Sequence, residues 1–128
     1  MKKIGIIGGG ILGLSIAYKL ANSNKFIVHV YEKEGNLGKH QSGNNSGVLH
    51  CGLSYRPGSL KAKLSVDGIN EMISFCKNHN LDHDICGKVV VATNDIEIKS
   101  LESLAKRGEL NGLKGLKFLN KGELKKRE

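Results

Sequence analysis

Residues 6–20, IIGGGILGLSIAYKL, constrain the fold more than any other stretch of the chain. A short apolar run, Lys2 to Ile7, ends in three consecutive glycines. A mostly apolar segment follows, with Ile11, Leu12, Leu14, Ile16, Ala17 and Leu20 before Asn22. Each glycine inside a helix or strand costs about 0.5–1 kcal/mol relative to alanine, so three together belong in a turn. The run before them reads as a strand buried on both faces, and the segment after them as a helix. NSNK is a second turn, and FIVHVYE, Phe26 to Glu32, is a second β-rich run. Strand, glycine turn, helix and strand in about thirty residues make a parallel βαβ unit.

The first turn carries chemistry. Gly8, Gly10 and Gly13 form G-x-G-x-x-G between strand and helix. Gly8 permits the tight turn, Gly10 leaves room for a pyrophosphate, and Gly13 lets helix and strand pack closely. The helix N-terminus offers N–H groups and partial positive charge to phosphates. Glu32 comes nineteen residues after Gly13, at the end of the second strand. An acid there accepts hydrogen bonds from an adenosine ribose and disfavours a 2′-phosphate, so the dinucleotide is FAD or NAD, not NADP.

A second glycine-rich segment separates those two. Residues 38–52, GKHQSGNNSGVLHCG, hold four glycines, two serines and two asparagines. The segment is too polar for core and too rich in glycine for helix. It suits backbone that passes close to a large flat ligand.

Downstream, PGSLKAKLSVDGINEMISFCKNHN reads as a helix starting near Ser59, with Leu60, Leu64, Ile69, Ile73 and Cys76 at near-helical spacing. GKVVVAT, Gly87 to Thr93, reads as a strand, and LKFL, Leu116 to Leu119, as a shorter one. DIEIKSLESLAKRGELNG between them reads as an amphipathic helix with Asp95 near its cap. Asn120 and Glu123 are spaced as in a capping box, so another helix starts close to the last residue.

Composition closes off several function classes. Net charge is +8, and +5 of it lies from Lys99 onward, with nine Lys and Arg against four Glu. Those lysines interleave with Glu and Leu, as on a solvated helix face, and no aromatics accompany them to stack bases. No nucleic acid is expected. Cys51, Cys76 and Cys86 are odd in number and lack CxxC spacing, which fits reduced thiols in a cytoplasm. His79 and His83 flank a loop after a helix and read as solvated rather than metal-bound, and His29 alternates within a strand; no metal site is expected. The basic, apolar N-terminus looks like a secretory leader, but its glycines follow the dinucleotide pattern instead. No run of 18 apolar residues exists to span a membrane.

GIIGGGILGLSIAYKL, YEKE and HQSGNNSGVLHCGLSYRPGSLKAKL together resemble the FAD-dependent oxidoreductases of the D-amino-acid oxidase superfamily. NSGVLH, PGSLKA, CGKVVVAT and RGELNGL are similar to segments of the L-2-hydroxyglutarate oxidase or dehydrogenase family. The glycerol-3-phosphate dehydrogenases share the NSGVLH part and stand as the alternative. An NAD-dependent dehydrogenase fragment and a nucleotide-binding remnant without catalysis also stay open. Cys51 and Arg56 depart from the family pattern, and neither is given a role.

The resemblance implies FAD as cofactor, a small 2-hydroxy acid as substrate, and oxygen or a membrane carrier as electron acceptor. It implies cofactor contacts from Gly8, Gly10, Gly13, Glu32, Lys33, His40, Ser42, Asn45, Ser46 and Gly47. It puts His50 near the flavin ring, where an imidazole accepts the hydroxyl proton of a 2-hydroxy acid. The expected fold is α/β: a Rossmann-like FAD-binding βαβ unit with its cofactor loop over residues 1–50, then the beginning of a substrate-side α+β region over 51–128. The family is far longer than 128 residues, so the chain reads as an incomplete N-terminal part, inactive by itself. The intact enzyme is expected in the cytoplasm or at the inner face of the membrane.

Overall fold

The computed structural model describes residues 1–127. Its elements run β1 (Lys2–Ile7), α1 (Ile11–Asn22), β2 (Phe26–Tyr31), α2 (Leu60–Asn78), α3 (Asp95–Leu110) and α4 (Lys121–Arg127). They fall into two compact units, Met1–Val48 and Leu49 onward.

The first unit is the βαβ element. β1 and β2 pair in parallel, in register from Lys2 opposite Phe26 to Ile7 opposite Tyr31. Gly13, Leu14, Ala17 and Leu20 are the half-buried stripe of α1, at the spacing of one helix face. The strands answer with Ile4 and Ile6 from β1 and Phe26, Val28 and Val30 from β2, also half-buried. The other sheet face is open, with Ile7 92% and Tyr31 61% exposed. Burial of β1 on both faces, expected from its apolar run, is therefore met on one face only, because α1 covers one side of the sheet.

The second unit is helical, and its caps follow the sequence. The Ser59 hydroxyl accepts from the Ala62 N–H at 3.2 Å and starts α2. Asn94 caps α3 by accepting from the Glu97 N–H at 2.9 Å. The Glu97 carboxylate reaches back to the Thr93 N–H and hydroxyl, and both bonds hold its carboxyl below the ordinary range. Asn120 and Glu123 form the reciprocal box that begins α4. Gly87–Thr93 and Leu116–Leu119, expected as strands, belong to no sheet. A β-branched run favours extended backbone, but a strand also needs a ladder partner, and none of the described segments supplies one.

Among the described residues, Ala62 is the only buried hydrophobic side chain. Leu12 is 78% exposed and Ile96 80%. Both outer edges of the two-stranded sheet lack a neighbour among the described residues. Open edges and uncovered apolar faces favour association. Residues 1–128 expressed by themselves are expected to self-associate in sedimentation velocity and to melt without a sharp transition. A monodisperse monomer with a cooperative melt would contradict this. No helix of the described residues is long and apolar enough to cross a membrane.

Candidate functional site

The site lies in the first unit, where β1 turns into α1. Gly8 has φ of 105°, a left-handed conformation that only glycine takes cheaply, and this lets the chain leave the strand abruptly. Its N–H donates to the Tyr31 carbonyl at 2.8 Å, tying the turn to the end of β2. A Cβ on Gly13 would overlap the carbonyl oxygen of Gly8 and touch Ile6. Helix and strand thus approach closely at Gly13, and the space over Gly8 stays open, with nothing within 4 Å of a Cβ built there.

Glu32 follows β2 and turns its carboxylate into this loop. One oxygen accepts from the Gly9 N–H at 2.6 Å, and the other from the Glu34 N–H at 3.0 Å. The N–H groups of Glu34 and Gly9, in that order, hold the carboxyl below its ordinary value, against partial desolvation. The Gly9 carbonyl accepts from the Gly38 N–H at 3.0 Å, and the Leu37 side chain lies over Gly9. Gly9 is thereby buried between the ends of two segments.

The second glycine-rich segment folds back onto the helix start. The Ser42 hydroxyl accepts from the Ile11 N–H at 2.8 Å. His40 Nε2 lies 3.0 Å from a Glu34 carboxylate oxygen, and Lys33 Nζ lies 3.5 Å from the same oxygen. Asn44 donates to the Lys39 and His40 carbonyls, and Asn45 to those of Gln41 and Ser42. The Asn45 side-chain oxygen accepts from the Gly47 N–H at 2.7 Å. These amides replace the ladder that so polar a loop lacks.

The result is an open cleft of about 390 Å³, lined among others by Gly8, Gly10, Glu32, Lys33, His40 and Ser42. Its volume falls in the range of small-molecule sites. Six of the residues expected from the sequence therefore meet in one place. Gly13 sits behind the turn as a packing contact. Asn45 orders the loop, Gly47 carries φ of 64° within it, and Ser46 is exposed. His50 belongs to the second unit and is exposed. Three contributors escape sequence reasoning: Gly9, Glu34 and Leu37. Gly9, the middle glycine of the triplet and outside the G-x-G-x-x-G positions, is the one available signal.

The donor set fits a dinucleotide. Glycines without side chains leave room for a pyrophosphate, Lys33 is the cation at the cleft, and the Glu32 carboxylate is the acceptor type that vicinal ribose hydroxyls require. Comparison with known proteins agrees. The family model described as FAD dependent oxidoreductase matches residues 3–128. L-2-hydroxyglutarate dehydrogenase of Indibacter alkaliphilus is 50% identical over 121 residues, covering 94% of this chain and 30% of the relative. The mitochondrial L-2-hydroxyglutarate dehydrogenase of Nematostella vectensis is 47% identical, over 98% of this chain and 28% of its own length. That of Escherichia coli K12 is 41% identical, over 96% and 29%. The chain thus spans about 30% of the length of these relatives. With the glycine turn, the carboxylate after β2 and a family match over almost every residue, the chain belongs to the FAD-dependent oxidoreductases.

Proposed function

We propose that this chain holds the adenosine diphosphate half of FAD, in a protein that oxidises L-2-hydroxyglutarate to 2-oxoglutarate. The observation that carries the substrate is sustained identity, 41–50% over nearly the whole chain, to dehydrogenases named for it. Gly8, Gly10 and the start of α1 take the pyrophosphate, and Glu32 takes the ribose hydroxyls. Lys33, His40 and Ser42 border the phosphates, while Asn45, Ser46 and Gly47 hold the loop beside them. When bound, FAD supplies the acceptor for the hydride that leaves C2 of the substrate. His50 takes the proton from the C2 hydroxyl on an imidazole nitrogen, so the alcohol becomes a ketone with charge balanced. Residues 1–50 serve the cofactor, and residues 51–128 begin the substrate side. The electrons pass to oxygen or to a membrane carrier, from the cytoplasm or the inner membrane face.

The test is optical. Protein expressed from its native gene is expected to purify yellow and to bleach with L-2-hydroxyglutarate in the absence of oxygen. Bleaching by glycerol 3-phosphate instead would move the substrate to that alcohol. A colourless protein that binds NAD would end the flavin reading.

A further inference from the structure

A turn held by side chains from far along the chain begins two residues after His50. Gly52 to Tyr55 form a tight turn, with the Tyr55 N–H donating to the Gly52 carbonyl at 3.2 Å. The end of α3 grips this turn from more than fifty residues away. The Asn111 side-chain amide donates to the carbonyls of Gly52 and Tyr55, both at 2.9 Å. Arg107 Nη1 donates to the Ser54 carbonyl at 3.0 Å. Arg107 and Asn111 are four residues apart, hence neighbours on the same side of the helix end. Between them Gly108 is buried and leaves room for the Leu53 side chain. Gly52 is also buried, and its Cα faces the Ala62 carbonyl and Ser65 of α2. The turn is therefore held from two helices.

The Asn111 amide has one orientation. Both of its hydrogens meet carbonyls, and its Oδ1 is buried without a partner. Rotating the amide would bring that oxygen against two carbonyl oxygens. An unpaired buried acceptor is tolerated here to keep the two donors on the turn.

We propose that Asn111 and Arg107 are positioning residues: they fix the Gly52–Tyr55 turn and through it set the direction of His50. The proposal rests on the reading of His50 as the proton acceptor. Asn111→Asp keeps the shape of the side chain and removes its donors. Arg107→Ala removes the second grip at an exposed position, and Arg107→Lys returns one donor. In protein expressed from its native gene, Asn111→Asp and Arg107→Ala are expected to lower kcat for L-2-hydroxyglutarate by about ten- to a hundredfold, the scale of a small misplacement, with KM little changed. Arg107→Lys is expected to recover most of the loss. In a His50→Ala background the same changes should cost nothing further, because they act through that imidazole. Equal losses in both backgrounds, or a lower Tm with unchanged kcat, would overturn the proposal and leave the grip purely structural. If the parent protein oxidises no 2-hydroxy acid, the proposed function fails and the grip is judged by NMR. The His50 ring resonances should then shift in Arg107→Ala and Asn111→Asp while those of His29 stay fixed. An unmoved His50 signal would refute positioning.

Discussion

Gly13→Ala is expected to be the most damaging single-methyl change in the glycine turn. The added Cβ would overlap the Gly8 carbonyl oxygen and press on the Gly8 carbonyl carbon and Ile6. The Gly8 atoms are backbone tied to β2 through the bond from the Gly8 N–H to the Tyr31 carbonyl, so they do not yield cheaply, whatever the Ile6 methyl can do. Overpacking of this kind costs about 3 kcal/mol at its upper end, a large fraction of a domain's stability. Gly8→Ala meets no atom, and its cost comes only from φ of 105°, roughly 1–2 kcal/mol. Gly10→Ala meets the Ser42 hydroxyl at 3.1 Å, a side-chain atom that needs to shift by only a few tenths of an ångström while keeping its bond from the Ile11 N–H. In protein expressed from its native gene, urea unfolding of the three variants should rank their losses Gly13, Gly8, Gly10. A Gly13→Ala protein as stable as its parent would mean that α1 is not packed on β1 at this point.

That ranking illustrates what the sequence made legible. The G-x-G-x-x-G spacing implies a division of labour among glycines, and the structure gives Gly8 the turn and Gly13 the close approach. Helix starts were readable for the same reason: Ser59 and the Asn120–Glu123 pair act within four residues of themselves. Local chemistry writes local structure. The failures lie where the partner is distant. The valines of Gly87–Thr93 promise a strand, but a ladder depends on a second segment that the run itself does not specify. The apolar run of β1 suits burial on both faces, yet which faces are covered is decided by what packs there. Gly9 beneath Leu37, and the Ser42 hydroxyl on the Ile11 N–H 31 residues away, have no periodicity to announce them. The Asn111 grip crosses 56 and 59 residues; the segment RGELNGL resembles a family segment, but nothing local in it announces those hydrogen bonds.

Glu32→Ala is expected to weaken FAD binding by about ten- to a hundredfold, the range for hydrogen bonds to a charged group. Two effects contribute and must be separated. The carboxylate offers its remaining lone pairs to a ribose, and it also braces the turn through the N–H groups of Gly9 and Glu34. Each N–H uses a different oxygen, so Glu32→Gln satisfies one and sets its own amide hydrogens against the other. Gln is therefore not a conservative replacement here. Titrating the protein with ADP and with 2′,3′-dideoxy-ADP isolates the ribose contribution. If Glu32 binds the diol, removing the hydroxyls weakens binding to the parent protein and leaves Glu32→Ala unaffected, because the pair is already broken. Equal losses in parent and variant would end the ribose assignment and leave Glu32 as a brace. The pH dependence has a defined sign. The folded protein holds this carboxyl below its ordinary value, so the anion's contribution is complete above the ordinary carboxylate range. That contribution disappears only as pH falls through the lowered value. Affinity should thus stay level through neutrality and fall in acid, and the acid limb attributable to Glu32 should be missing from the Glu32→Ala titration.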